Sequence, residues 1–288
     1  MNYGKKDAVR VSAVLGCSLL LSMLFLLLAS VLMQGNIGVS EQTGFVFRVI
    51  CFSALVLPAI WGIWKFRRLS VGFPALSAKA SLNKKLTIML STFGVILIIQ
   101  IFYAAIFPSV IPKPDVYANV TPTRIFMLFF FWTLVPAVAE EIFFRGFFMR
   151  SMRIFRASLA VLMSALVYAL MQFSVEGFPL FFVTGLLIGM AYLSTRSLST
   201  VISISFLCKA FWFLEETVKV YLPEGYLSLM QGALAVCVML SATGIPYLKE
   251  NMRAFFENDD ENAIPSAYFW TVPTVLFVGL AVAIQLLL

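Results

Sequence analysis

Residues 131–150 read FWTLVPAVAEEIFFRGFFMR, an apolar run interrupted by Glu140, Glu141 and Arg145. Ionisable groups are rare inside a membrane segment, because each costs about 2.5–3.5 kcal/mol at the centre of an inserted helix. Three of them together therefore point to a site. Glu141 and Arg145 are spaced i, i+4, share one helix face and can pair in the favourable orientation. Glu140 lies about 100° round the helix and is left without that partner. A structural ion pair, with Arg145 snorkelling to the nearer interface, accounts for Glu141 and Arg145. It leaves Glu140 unexplained, and a carboxylate in an apolar setting is suited to moving a proton. Pro136 stands one turn before Glu140 and cannot donate to the carbonyl of Trp132, so the helix is expected to loosen there. A further cation, Lys209, falls inside a later apolar run.

The elements that must position these groups follow from composition. The chain has 288 residues, 61% hydrophobic and 12% charged, against about 25% charged in a soluble domain. The fold class expected is all-α, a polytopic transmembrane bundle of about nine helices. Candidate spans fall near 11–33, 45–64, 86–107, 125–149, 156–173, 178–194, 197–214, 225–247 and 267–288. The first is too long for the apolar core of a signal peptide and reads as a retained helix. Basic residues divide the loops. One side takes Lys5, Lys6 and Arg10, the stretch from Lys65 to Lys85, the group Arg145, Arg150, Arg153 and Arg156, then Arg196, Lys249 and Arg253. The other side takes only Lys113, Arg124 and Lys219, which argues for an N-in, C-out arrangement. The stretch Lys65 to Lys85 suits a segment lying on an anionic leaflet, and Lys249 to Glu261 a solvated loop. Glu215 and Glu216 are expected at the outer interface. The sequon Asn119-Val-Thr121 lies in an outer loop. The net charge of +7 fits basic loops and not nucleic acid. Cys17, Cys51, Cys208 and Cys237 lie inside apolar runs without paired spacing and read as small packing residues.

Glu-Glu-x-x-x-Arg at the end of a membrane helix, continued as Gly146-Phe147, resembles the first motif of the CAAX-protease and bacteriocin-processing (CPBP) family of intramembrane endopeptidases. The resemblance covers roughly residues 125–214. It divides the chain into N-terminal helices with a basic loop (1–124), a CPBP-like core (125–214) and C-terminal helices (215–288). It implies that Glu140 activates the attacking water, while Glu141 and Arg145 hold the helix in place. The family's second motif, an aromatic residue followed four later by His, falls on Tyr168 and Gln172. Its third, His-x-x-x-Asn, falls on Ser205 and Lys209 when counted from Ser197-Leu198.

The chain contains no histidine at all. Imidazole metal ligation is therefore impossible, and neither a metal nor another cofactor is expected. Proton transfer rests on Glu140 alone, and oxyanion stabilisation needs a new donor. Losing such a donor typically costs about 10²–10³ in rate, and losing a positioned acid–base partner about 10²–10⁴. Gln172 keeps hydrogen-bonding capacity, and Lys209 with Arg145 balances the two glutamates into a neutral network. A count of depth at 1.5 Å per residue puts Glu140 about 15 Å, Ser205 about 14 Å, Lys209 about 20 Å and Gln172 about 24 Å from one interface, so either the helix before Gln172 starts later or its match is looser. The leading expectation is a catalytically impaired member that binds a membrane or lipidated protein or peptide, in the cell membrane of a bacterium. The alternatives are a working glutamate endopeptidase using Glu140 with Gln172 and Lys209 as donors, or a small transporter or channel lined by Glu140, Lys209 and Arg145. The last lacks a pair of Gly/Pro-broken helices in corresponding halves of the chain. Cys208 is unsupported as a nucleophile, with no imidazole to activate it.

Overall fold

The computed structural model describes residues 4–34, 41–68, 80–110, 121–243, 246–247 and 266–287. Lys79, Lys113, Asn119, Lys249, Arg253 and Glu261 lie outside them, as do the side chains of Arg48, Cys51 and Arg124. Among the described residues the chain is all-α. Nine helices follow one another: α1 (Lys5–Gln34), α2 (Glu41–Arg68), α3 (Leu82–Ile106), a long composite α4 ending at Met152, α5 (Ala157–Leu170), α6 (Phe178–Thr195), α7 (Leu198–Tyr221), α8 (Tyr226–Thr243) and α9 (Val272–Leu287). The composite α4 opens as Pro122–Phe129 and closes as Arg150–Met152. In lipid every backbone N–H and C=O must be satisfied within the segment, so apolar runs of this length have no alternative to the helix. Five helical segments are long and apolar enough to cross a membrane: Lys5–Leu27, Leu82–Ile106, Ile125–Met152, Phe178–Thr195 and Leu198–Tyr221. The protein is an integral, multi-pass membrane protein.

Local chemistry sets the helix ends. Ser81 caps α3 by accepting from the backbone N–H of Lys84 at 3.4 Å. Pro122 and Pro179 sit in the first turns of α4 and α6, where a missing N–H costs nothing. Arg196 closes α6 in the left-handed region at φ 49°. The expected loosening before Pro136 takes a definite form. Phe130–Leu134 is a π-helical turn in which the N–H of Val135 bonds to the carbonyl of Phe130, five residues back. A second π-helical stretch, Ile142–Met149, carries Arg145 and Gly146. Such turns are uncommon and concentrate at functional sites.

Contacts between elements sort the helix ends. Lys5 at the start of α1 lies over the ring of Tyr268, and Phe155, between α4 and α5, meets Phe269 edge-on. Burial first, then the guanidinium of Arg196, holds Arg153 below its ordinary pKa, with Arg150 adding to the effect. The C-terminal ends of α4 and α6 are therefore neighbours. At the far ends of their helices Tyr103 donates to the carbonyl of Glu176, joining α3 to the α5–α6 turn. Lys5, Arg150, Arg153 and Arg196 thus gather at one end of the bundle.

Two expectations give way. Helix α7 runs to Tyr221, past the expected end at 214, and Glu215 within it is enclosed by protein. It is 2% exposed, accepts from Lys219 at 2.5 Å one turn on, and accepts from the hydroxyl of Tyr226 at 2.6 Å. Pairing removes the charge that would otherwise expel it. Arg145 does not snorkel, since its side chain is wholly buried.

Candidate functional site

Glu140 and Glu141 leave adjacent positions of α4 toward different surroundings. Glu141 and Arg145 form an ion pair at 3.2 Å with both side chains fully buried. A second bond, from Nη2 of Arg145 to the carbonyl of Gly185 on α6, measures 3.0 Å. The guanidinium also lies 5.2 Å from the ring centroid of Tyr168, within cation–π range. Gly185 is there because nothing larger fits. A Cβ at that position would stand 2.9 Å from the Cα of Ala165 and 3.2 Å from Cδ1 of Tyr168. One turn on, a Cβ on Gly189 would meet Val161 at 3.0 Å. Small residues four apart let α5 and α6 approach closely, and that approach brings a backbone carbonyl within reach of Arg145.

Glu140 faces open space. Its Oε1 accepts from the Nζ of Lys209 on α7 at 3.0 Å, with 13% of the Glu140 side chain and 26% of the Lys209 side chain exposed. Its Oε2 is buried with no hydrogen-bond partner among the described residues. The charges expected as one network are thus two separate neutral pairs, one within α4 and one between α4 and α7.

Lys209, Glu140, Tyr168, Gln172 and Ser205 line a single cavity of about 240 Å³, together with Gln100, Trp132, Thr184 and Trp212. Every position matched to the second and third motifs therefore reaches the chamber that Glu140 faces. The exception expected from the depth count does not arise. Helix α5 stops at Leu170, and Gln172 lies in the turn beyond it. A depth count assumes that all helices start at one level, and short helices break that assumption. A second chamber of about 220 Å³ lies on the other side of Glu140, lined by Leu26, Leu55, Phe131, Val135, Ala139, Phe144 and Met171. The two chambers share Pro136, Glu140 and Gln172.

Sequence reasoning missed Gln100, Trp212 and Gly185. Trp212 donates from its indole N–H to Oε1 of Gln100 at 2.8 Å, bringing α3 into the chamber wall. A signal was present for two of them: Gln100 is an amide in an otherwise apolar stretch, and Gly185 and Gly189 stand four apart. Cys208 also lines the chamber and is buried.

This arrangement can bind, orient and exchange hydrogen bonds with a ligand in a sheltered space. Among the described residues no three His, Cys, Asp or Glu side chains converge as a metal site would require. Residues 122–211, from the start of α4 into α7, match the family described as type II CAAX prenyl endopeptidase Rce1-like. No curated protein and no solved structure matches the chain.

Proposed function

We propose that this chain, which through residues 122–211 belongs to the CAAX-protease-like family, acts by binding a membrane or lipidated protein or peptide and not by cutting it. The observation that carries the reading is the 3.0 Å ion pair between Glu140 and Lys209. By the family resemblance Glu140 occupies the position of the water-activating base and Lys209 that of an asparagine. An ammonium bonded to Oε1 occupies the oxygen that an attacking water would otherwise use. No imidazole is present to take up the proton instead. Binding space is available, since two chambers border Glu140, each lined by apolar side chains with a few polar ones among them. The proposed setting is the cell membrane of a bacterium, and the basic loops favour an N-terminus in the cytoplasm.

One observation favours a second reading, a feeble endopeptidase. Oε2 of Glu140 is without a partner among the described residues, and Gln172, Ser205 and Lys209 surround the same chamber as potential donors.

The test compares four proteins in mild detergent against a panel of prenylated and unprenylated membrane peptides. They are the wild type, Glu140→Gln, Gln172→His with Ser205→His, and that double variant with Lys209→Asn added. The reading expects binding without cleavage by the wild type, and cleavage only once the histidines return and Lys209 releases Glu140. Cleavage by the wild type that disappears in Glu140→Gln would sink it and establish the second reading.

A further inference from the structure

Gln100 lies outside the family-matched segment, on α3, yet it forms part of the wall of the chamber that Glu140 faces. An indole N–H can only donate, so its bond to Gln100 fixes which end of the amide it meets. Trp212 takes the oxygen at 2.8 Å, and the NH₂ group is left over. Gln100 is 8% exposed, and that NH₂ has no partner among the described residues. Nε2 is not sealed off from the chamber, so a ligand that displaces water there gains a donor already oriented toward it and loses affinity if it offers no acceptor.

The rest of the wall indicates the occupant. Thr184, Ser205 and Tyr168 bring hydroxyls, and Lys209 brings a cation whose charge Glu140 cancels. The neighbouring Glu141–Arg145 pair is neutral as well. A donor-rich chamber with no net charge suits a neutral acceptor, and a free carboxylate would find no uncompensated cation there.

We propose that Gln100, its amide oriented by Trp212, donates a hydrogen bond to a neutral carbonyl of the bound ligand, an amide of a peptide backbone. The inference rests on the reading that this chamber binds a peptide, and it adds a selecting residue from outside the family core.

The experiment measures affinity in lipid nanodiscs for an S-prenylated pentapeptide amide. Alongside it runs a set of analogues in which each backbone amide in turn is a trans-alkene, which keeps the shape and removes both the carbonyl and the N–H. The comparison with Gln100→Met isolates the carbonyl's share. In the wild type one analogue is expected to bind about tenfold more weakly than the parent, the effect of one hydrogen bond. In Gln100→Met that analogue and the parent should bind alike. Trp212→Phe, which keeps the amide but frees it to rotate, should lose part of the discrimination. A wild type that binds the parent and every analogue equally overturns the inference alone, whatever the variants do. So does undiminished discrimination in Gln100→Met. Failure of the wild type to bind the parent peptide at all removes the underlying reading, and the inference with it.

Discussion

Two carboxylates one residue apart have been put to different uses. Glu141 is fully buried and bonded to Arg145 on its own helix, and the guanidinium also donates to the carbonyl of Gly185 on α6. Glu140 reaches its cation across to another helix, is part-exposed, and borders two chambers. A rotation of about 100° between neighbours separates a carboxylate enclosed by protein from one that borders open space. The first pair can be disturbed only at the expense of the fold. The second, part-exposed, is expected to be rearranged at smaller cost to the fold.

The sharpest way to break this contrast is Arg145→Ala. Removing one partner of a fully buried pair leaves an uncompensated charge and typically costs about 3–5 kcal/mol. Thermal unfolding in detergent should therefore drop far below wild type, or the variant should fail to accumulate. If it unfolds like the wild type, Glu141 is not sealed as described. Next comes Gly185→Ala, whose Cβ would stand 2.9 Å from the backbone of Ala165. Overpacking of this kind costs about 1–3 kcal/mol, and the displaced carbonyl should loosen Arg145 too. Combining it with Arg145→Ala should then cost less than the sum of the two.

Lys209→Met tests the other side of the contrast. Its pair with Glu140 is part-exposed to a chamber that admits water, so the expected loss is about 1 kcal/mol, between the surface and buried cases. Adding Glu140→Gln should recover most of it, as a double-mutant cycle would show. The smallest effect should come from Tyr226→Phe, which removes one hydrogen bond to Glu215. About 0.5–1.5 kcal/mol is expected, with no change in ligand binding.

Much of this was legible in advance, for reasons that can be named. Apolar length fixed the helices, because backbone groups in lipid have no other way to be satisfied. The i, i+4 spacing of Glu141 and Arg145 predicted their bond directly, since helix geometry makes those positions neighbours. Arg145 shows the limit of that reasoning. Periodicity placed it beside Glu141, but nothing in the spacing told of the α6 carbonyl that keeps it inside. Glu215 taught the same lesson at the end of α7, where Tyr226 from the next helix gives a carboxylate a buried place. The placement of Gln172 also eluded counting, because α5 is short and the turn after it carries the residue to the chamber.

The sequence by itself determined that this protein lives in a membrane, that it is helical, that Glu141 pairs with Arg145 and that histidine chemistry is absent. These follow from composition and from contacts within one turn of a helix, where the chain is its own ruler. Only the tertiary structure decided that Lys209 meets Glu140, that Gln100 and Trp212 join the chamber, and that Arg145 ends on Gly185. Those contacts cross between helices, and their partners are chosen by how closely small residues let the helices approach, a quantity that no spacing along a single chain contains.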